Sequence, residues 1–360
     1  MDKIEIQGFK SIRNLRLDFS PINILIGANG SGKSNFLSFF EFLRNIYNGN
    51  LQKMVAMSSR GMDKYLFEGR KVTKNISAHM YFGDNGYSFT LQPAEDYFVF
   101  AEEGLWYNKN PYIKNPINIA DFNRESRLRM DTRPRSEYIR KYLNQLEKYH
   151  FHDTGDNSPF THVSNIERDI FSLYSHGDNL AAFLYGIHSR APKRYNFIVK
   201  TIQSIAPYFR DFLFKPNEQG DLKLYWQDKY CTNTYGVNDL SDGTKRFIAL
   251  ATLFLQPELP QTLIIDEPEL GLHPAAISKL AGLIKSASQK GCQIILATQS
   301  ATLINHFNAE DIITVDQNNG ESVFTRLNSN ELKQWMYEYS LSDLWQQNII
   351  SNGQPQPANL

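Results

Sequence analysis

A glycine-rich run, Gly27–Ser34, constrains the fold of this chain more than any other feature of its sequence. It reads GANGSGKS and matches the pattern G-x-x-x-x-G-K-S. It lies between a predicted buried strand, Ile22–Ile26, and residues 35–48, whose apolar side chains recur at helical spacing. In such a strand–loop–helix unit, loop N–H groups point at a nucleotide phosphate beside the helix N-terminus. A glycine-rich turn without function is the alternative, and the flanking elements disfavour it.

The loop predicts a role for its polar residues. Lys33 would place a cation across the β- and γ-phosphate oxygens, and so serve catalysis as well as binding. Ser34 would offer its hydroxyl to Mg²⁺. The residues predicted to bind the nucleotide in this stretch are Asn29, Gly30, Ser31, Gly32, Lys33, Ser34 and Asn35.

The second motif is an apolar strand that ends in two acids, Leu263–Glu267. Ligands bind at the carboxyl edge of a parallel sheet, so both carboxylates are expected beside the phosphate loop. Asp266 is predicted to hold Mg²⁺. Glu267, with no metal to neutralise it, is predicted to orient and deprotonate the attacking water. Two acids after a strand also suit a helix N-cap, and it is their pairing with the loop that favours the catalytic interpretation.

The third motif, Leu240–Thr244, reads LSDGT and precedes two basic residues and an apolar helix. A helix that starts here would direct the Ser241 hydroxyl and the Gly243 N–H at a γ-phosphate. The string alone also fits an ordinary capped helix over residues 241–255. In series with the other two motifs, the phosphate-binding interpretation is favoured.

These motifs resemble those of ABC ATPases, and nearly the whole chain is similar to the RecF/SMC/OLD branch, especially to its stand-alone predicted AAA-type ATPases of bacteria. The separation between the last two motifs is also typical of that superfamily. The resemblance implies an α/β fold: a P-loop NTPase of the ABC type with a mixed or parallel sheet core, an antiparallel β subdomain and an inserted helical lobe. The marks that carry it are Ile6–Ser11, Gly27–Ser34, Leu240–Thr244 and Asp266–Pro274.

The same resemblance implies cofactors, a partner and further site residues. ATP and Mg²⁺ are the expected cofactors. Because one copy's signature helix cannot serve its own nucleotide in this superfamily, two copies are expected to form a head-to-tail homodimer around ATP. Lys10 and Ser11 should reach the nucleotide, and Glu269–His273 should cross the dimer interface.

The chain departs from the family pattern in three places. Where a switch histidine usually follows the last core strand, this chain has Gln299, which can donate an amide hydrogen bond but carries no titratable charge. We therefore predict a catalytic role for Gln299 with slow turnover. Asp242 replaces a signature glycine, which aspartate's tolerance of left-handed backbone angles would accommodate. The glutamine of the usual Q-loop has no clear position, since Gln92 lies in a plausible strand but a poor context.

Alternation of strand and helix signals predicts a doubly wound sheet interrupted by other elements. Gly83–Gly86 predicts a hairpin turn, and Gly353–Leu360 is expected to be disordered. Helices are predicted at Glu137–Tyr149, Asn179–His188 and Tyr195–Phe214. The predicted domains are residues 1–110 (N-terminal ATPase half with the β subdomain), 111–215 (helical lobe), 216–330 (C-terminal ATPase half) and 331–360 (C-terminal helix and tail).

Composition limits the partners and the compartment. The 38 basic and 38 acidic residues balance, which argues against attraction of the whole surface to nucleic acid or an anionic membrane. Cys231 and Cys292 are far apart, lack metal-ligand spacing and suit a reducing compartment. No apolar run approaches a membrane span, and the charged N-terminus does not fit a secretory signal. We expect a cytoplasmic protein without a membrane partner.

Two weaker signals leave alternatives open. Residues 123–141 hold seven basic and three acidic side chains, which suits DNA or a partner, although a solvated face with internal ion pairs is the favoured explanation. His150 and His152 could present a metal pair on one strand face. No further ligand lies nearby in the sequence, so core or loop histidines are the default.

Three functions compete at this stage. The favoured one is an ATP-gated dimer that controls DNA or a separate effector protein, as in antiphage defence or in DNA repair and maintenance. Too few residues follow Gln299 for the Toprim nuclease domain of OLD proteins, so a nuclease would be a separate polypeptide. A scaffold that binds ATP and rarely hydrolyses it is the alternative. A transporter subunit is disfavoured, because the separation between Gly27–Ser34 and Leu240–Thr244 exceeds what such subunits need.

Overall fold

The computed structural model of the chain describes residues 1–109, 116–120 and 122–350, so the predicted disordered tail, Gly353–Leu360, lies outside the described residues. The strands are β1 (Lys3–Phe9), β2 (Ile12–Asp18), β3 (Ile22–Ile26), β4 (Ile76–Phe82), β5 (Asn85–Ala94), β6 (Tyr97–Tyr107), β7 (Ile117–Asn118), β8 (Leu146–Tyr149), β9 (Ser164–Asn165), β10 (Phe209–Leu213), β11 (Asp221–Leu222), β12 (Tyr225–Asp228), β13 (Thr234–Gly236), β14 (Thr262–Asp266), β15 (Gln293–Ala297), β16 (Ile312–Asn318) and β17 (Glu321–Arg326). The α-helices are α1 (Lys33–Tyr47), α2 (Leu51–Ala56), α3 (Pro134–Leu143), α4 (Leu180–Arg190), α5 (Pro192–Gln203), α6 (Asp242–Leu255), α7 (Pro274–Gln289), α8 (Ala301–Ile304), α9 (Ser329–Leu332) and α10 (Leu341–Gln346).

The chain divides into two compact units. The first contains Met1–Glu147 and Asn308–Leu360, and the second contains Lys148–Phe307. The phosphate loop lies in the first unit, whereas the acidic pair and the signature lie in the second. The four-part division expected from the sequence stays a prediction.

An antiparallel sheet dominates the N-terminal part of the first unit, with the strand order β2-β1-β4-β5-β6-β7. The predicted hairpin at Gly83–Gly86 is confirmed, because Phe82 pairs with Asn85 and leaves a two-residue turn in which Gly83 has a φ of +60°. Each of the long strands alternates between buried and less buried residues, as expected for a sheet with one face packed on a core.

The element pair that carries the phosphate loop is packed around phenylalanine side chains. Strand β3 is buried at all five positions and runs parallel to β16, which in turn pairs antiparallel with β17. The following helix, α1, contributes Phe36, Phe39 and Phe40 to the core, and the ring of Phe39 lies 5.2 Å from that of Phe9 in an edge-to-face arrangement. The loop is thus held between a fully buried strand and a helix that buries its apolar face.

The second unit contains the parallel pair β14 and β15 and the helices α6 and α7. Helix α6 is buried along almost its whole length from Lys245 onward, and α7 buries one face. Strands β10, β12 and β13 form a separate antiparallel sheet. Helices on a parallel strand pair confirm the predicted α/β class.

Two of the predicted helices are too long. Helix α3 ends at Leu143, and residues 146–149 form strand β8 instead of continuing the helix. Helix α5 ends at Gln203, and Phe209–Leu213 pairs with Tyr225–Asp228 as a strand. Pro207 removes a backbone donor just before that strand, and cross-strand pairing then outweighs the local helical pattern. Among the described helices, none is long and apolar enough to cross a membrane.

Candidate active site

The phosphate loop forms a closed turn around its lysine. Lys33 is the first residue of α1 and is 5% exposed. Its ammonium group donates to the carbonyl oxygens of Gly27 (2.7 Å) and Ala28 (2.9 Å). Gly27 must be a glycine, because a Cβ there would lie 2.1 Å from the Val315 carbonyl oxygen. The sequence thus places a buried cation within the loop that is predicted to hold phosphate.

A network of hydrogen bonds among small polar side chains holds the phosphate loop. Ser322 on β17 is 1% exposed, and its hydroxyl donates to the Ser31 carbonyl at 2.6 Å. The same Oγ lies 2.8 Å from Ser11 Oγ, which also accepts a hydrogen bond from the Asn35 side-chain amide at 2.9 Å. Ser11 and Asn35, both predicted nucleotide ligands, therefore meet at the loop. Ser322 gave no signal in the sequence, because it is one serine in an ordinary strand.

Lys10 takes a different position from Ser11. Its backbone has a φ of +49°, in the left-handed region, and its ammonium group donates to Ser38 Oγ on α1 at 2.6 Å. The side chain is thereby held against the first turns of the helix that starts at the loop. Its contact with nucleotide stays a prediction, as do those of Asn29, Gly30, Gly32 and Ser34.

Replacing Gly32 by alanine is expected to lower the free energy of unfolding by roughly 2–5 kcal/mol, from left-handed strain and overpacking together. Gly32 has a φ of +113°, and a Cβ there would lie 1.9 Å from Ser322 Oγ. Gly61→Ala is the matched control, since Gly61 has a φ of +53° with no atom near its Cβ position, and strain alone costs about 1–2 kcal/mol. Urea denaturation measures both variants. Equal losses of stability would show that the Ser322 contact does not matter.

The acidic pair closes strand β14 in the second unit. The Asp266 carboxylate lies 3.3 Å from the ammonium group of Lys148, and both side chains are at least nine-tenths buried. His152 Nε2 lies 3.0 Å from the Asp266 carbonyl oxygen. Burial lowers the pKa of His152, and His150 and Arg246 lower it further, so the neutral ring is favoured there. Lys148 was not predicted as a site residue.

The donor set suits a hard cation but forms no complete cage. Carboxylate and hydroxyl oxygens, as in Asp266 and Ser34, are ligands that Mg²⁺ prefers, together with water and substrate phosphates. Within residues 1–109, 116–120 and 122–350, no group of three or more His, Cys, Asp and Glu side chains could hold a metal ion. A metal site at His150 and His152 therefore has no support. Asp266 and Ser34 lie in different units, and their joint binding of Mg²⁺ stays a prediction.

Two of the predicted catalytic residues are in direct contact. The Gln299 side-chain amide donates to a carboxylate oxygen of Glu267. Glu267 has a φ of +41°, an unusual left-handed conformation that its N–H helps to hold by donating to the Ala297 carbonyl at 2.8 Å. The pair lies at the carboxyl ends of β14 and β15. An amide that holds a carboxylate from one side can orient it toward a water molecule on the other.

The signature segment starts α6 in the expected way. Ser241 is the N-cap, and its hydroxyl accepts a hydrogen bond from the Thr244 N–H at 3.3 Å. Asp242 lies in the first helical turn and is absent from the described residues with positive φ, so the left-handed allowance expected for it is not used. A hydrogen bond from Lys245 holds the pKa of the Asp242 carboxyl below its usual value. The acid thus suits a helix N-terminus.

Gly243 has a steric role that the sequence did not reveal. A Cβ at this position would lie 2.5 Å from the Gly271 carbonyl oxygen. Gly271 has a φ of +73° and belongs to the Glu269–His273 loop, in which Leu270 is 48% exposed. The glycine in the signature is therefore required for this loop to pack against the start of α6.

The two basic residues after the signature bind backbone carbonyls. Lys245 donates to the Thr154 carbonyl at 2.7 Å. Arg246 donates to the carbonyls of Phe151 (2.8 Å) and His152 (3.0 Å). These contacts attach residues 151–154 to the signature helix, and His152 also attaches this stretch to Asp266, which Lys148 contacts as well.

The basic region at residues 123–141 is largely engaged in internal contacts. Arg133 forms an ion pair with Asp131 at 2.9 Å. Arg140 donates to backbone carbonyls, among them that of Arg129 at 3.1 Å. The Arg124 guanidinium lies over the ring of Tyr97 at 3.9 Å. These contacts agree with the explanation favoured from the sequence, a solvated face with internal pairing.

Comparisons with known proteins identify the family of the chain. Residues 22–305 match a family described as "AAA domain, putative AbiEii toxin, Type IV TA system". The Old nuclease of Escherichia phage P2 is 21% identical over 97% of this chain and 64% of its own length. The Septu protein PtuA of Bacillus mycoides is 24% identical over 83% of this chain and 38% of its own length. The chain thus spans less than two thirds of either relative.

Solved structures support the fold alone. An SmcHead structure, bound to the C-winged helix domain of ScpA, covers 92% of this chain at 20% identity, with a TM-score of 0.63. An Smc head domain from Pyrococcus furiosus covers 94% at 19% identity, with a TM-score of 0.54. These likenesses confirm the predicted P-loop NTPase fold.

Proposed function

Because the chain belongs to the family of AAA domains that matches residues 22–305, and is an ABC-like ATPase of the OLD/SMC/RecF type, we propose that it hydrolyses ATP slowly with Mg²⁺ in a homodimer. The observation that carries the proposal is the hydrogen bond between Gln299 and Glu267. It pairs a carboxylate with an orienting amide at the strand ends where the attacking water is expected.

The chain's own residues divide the work. Lys33 binds the β- and γ-phosphate oxygens and stabilises the charge that develops on them. Glu267 accepts a proton from the attacking water, while Gln299 fixes the direction of the carboxylate. Ser34 and Asp266 are the residues that would hold Mg²⁺, and the ion would neutralise phosphate charge.

The homodimer follows from the signature. Ser241 is exposed at the N-terminus of a 14-residue helix, and exposed Leu270 lies in the neighbouring loop. A helix N-terminus favours anions, so the Ser241 hydroxyl and the Gly243 N–H suit a γ-phosphate carried by a second copy. ATP would then be bound between Lys33 of one copy and Ser241 of its partner.

We also propose a separate effector protein, with DNA as a further partner, in antiphage defence or in DNA repair and maintenance. One relative is named a nuclease, and a similar SMC head is bound to a domain of another protein. An ATP-bound scaffold with little turnover is the second candidate, because Gln299 offers no titratable charge to the reaction.

Gln299→Ala is expected to lower the steady-state rate of phosphate release by about 10- to 100-fold, since it removes a hydrogen bond to a charged group worth roughly 1.5–3 kcal/mol. ATP affinity should change little. Gln289→Ala, at the exposed C-terminal end of α7, is the matched control and should keep the wild-type rate. Unchanged turnover in Gln299→Ala would remove Gln299 from the mechanism, and no turnover in the wild type would favour the scaffold.

A further inference from the structure

One buried acid next to the catalytic pair has no role in the proposed chemistry. Glu269 is 8% exposed and begins the loop that packs against the signature helix. Its Oε1 accepts a hydrogen bond from the Thr298 hydroxyl at 2.5 Å and another from the Gln299 N–H at 3.2 Å. Its Oε2 is buried without a hydrogen-bond partner in the part of the chain that the structure describes. The acid therefore directs a single oxygen at the residues that follow β15.

Thr298 extends this contact along the chain. It is fully buried, and while its Oγ1 donates to Glu269 the same oxygen accepts a hydrogen bond from the Ser300 N–H at 2.9 Å. The backbone on both sides of Gln299 is thus fixed by one carboxyl and one hydroxyl group. These contacts hold the backbone from which the Gln299 side chain extends to its hydrogen bond with Glu267.

The surroundings of the Glu269 carboxyl group change its pKa in opposing directions. Burial raises its pKa above the usual value, and the nearby Glu267 adds to the rise, although the hydrogen bonds from Thr298 and Gln299 lower it. The two hydrogen bonds converge on Oε1, so one oxygen of the group holds both the Thr298 hydroxyl and the Gln299 N–H.

We propose that Glu269 is a positioning residue. Its hydrogen bonds to the Thr298 hydroxyl and the Gln299 backbone N–H, here called the clamp, hold the Gln299 side-chain amide in contact with the Glu267 carboxylate. The consequence for turnover rests on the proposed ATPase function. The clamp itself does not, because it consists of hydrogen bonds within one unit of the protein. In the proposal Glu269 acts through Thr298 and Gln299, with which it forms its hydrogen bonds.

Two matched pairs of variants test the clamp in the full-length protein. Glu269→Ala removes the acceptor, whereas Glu269→Gln retains an oxygen in its place. Thr298→Val removes the hydroxyl with little change of volume, whereas Thr298→Ser retains it. Glu258→Ala, an exposed acid after α6, is the control. The first readout is hydrogen–deuterium exchange of the Gln299 backbone N–H without nucleotide. The second is kcat and KM for ATP, determined separately.

The exchange rate of the Gln299 backbone N–H should rise by about 5- to 10-fold in Glu269→Ala and Thr298→Val, as expected for one lost buried hydrogen bond. Their kcat should fall by about the same factor with KM within twofold of wild type. Glu269→Gln and Thr298→Ser should restore most of both values, and Glu258→Ala should change neither.

If the Gln299 backbone N–H exchanges in Glu269→Ala and Thr298→Val at the same rate as in the wild type, the clamp is overturned. Faster exchange with unchanged kcat would overturn it as well, since Glu269 would then only stabilise the loop. If Glu269→Ala does not fold, the Thr298 pair gives the same test. If exchange rises as predicted in Glu269→Ala and Thr298→Val but the wild type hydrolyses no ATP, the proposed function is rejected and the clamp is supported.

Discussion

Lys33→Met is expected to weaken ATP binding by about 100-fold or more, because two charge-assisted hydrogen bonds to phosphate oxygens would be lost. Methionine has an apolar stem of similar length, so the buried volume is nearly conserved. The carbonyl oxygens of Gly27 and Ala28 would also lose the donor they have in this structure, so the free energy of unfolding should fall as well. Isothermal titration with ATP and Mg²⁺ measures the effect on binding.

Lys279→Met is the matched control, since Lys279 lies exposed on α7 in the other unit. It should bind ATP as the wild type does. Equal affinities for Lys33→Met and the wild type would mean that the loop at Gly27–Ser34 does not hold the triphosphate, and the assignment of the whole site would fail with it.

Glu267→Gln is expected to lower kcat by about 100- to 10,000-fold, the usual contribution of a general base. Glutamine keeps the shape of the side chain and can still accept the hydrogen bond from Gln299, but it cannot take a proton from water. ATP binding should persist, since Lys33 and Ser34 are unchanged. Single-turnover hydrolysis isolates the chemical step from product release.

Glu258→Gln provides the comparison for this substitution and should hydrolyse ATP at the wild-type rate. If Glu267→Gln also does so, the water is activated elsewhere, and the position of Glu267 at the end of β14 has another cause. A variant that neither binds nor hydrolyses ATP would indicate a folding defect, which circular dichroism separates from a catalytic one.

The parts of the site that the sequence predicted are local in the chain. Gly27–Ser34 and Leu263–Glu267 each combine a buried strand with the residues immediately after it, so a short window contains the whole signal. Ser241 was predicted as the start of a helix for the same reason, and the structure confirms it as the N-cap of α6. The α/β class followed from the order of these windows along the chain.

The parts that the sequence missed depend on contacts between distant residues. Ser322 donates a hydrogen bond to the Ser31 carbonyl although the two residues are 291 positions apart in the sequence. Lys148 pairs with Asp266, and the signature lies between them in the sequence. Neither residue type is unusual in its surroundings, so no pattern marks them. The sequence showed Arg246 only as one of two basic residues after the signature, and the structure shows that it donates to the carbonyls of Phe151 and His152. Every residue has a backbone carbonyl acceptor, so the sequence does not show which carbonyls a side chain will bind.

Helix lengths failed for a related reason. The apolar spacing in Tyr195–Phe214 fits a helix throughout, yet the last residues pair with another strand and leave the helix at Gln203. Periodicity describes which face is buried, whereas a pairing partner decides which element forms. Gln299 illustrates the same limit at the site, because its donor capacity was predicted and its contact with Glu267 required the fold.

The central claim is that ATP held by Lys33 of one copy is completed by Ser241 of another. Its most direct test is the solution mass of Glu267→Gln with and without ATP and Mg²⁺, measured by sedimentation velocity, with Glu267→Gln/Ser241→Arg as the blocked control. The account predicts a shift from monomer to dimer on addition of ATP, and no shift when arginine fills the signature. A Glu267→Gln protein that binds ATP and stays monomeric at high concentration would contradict it.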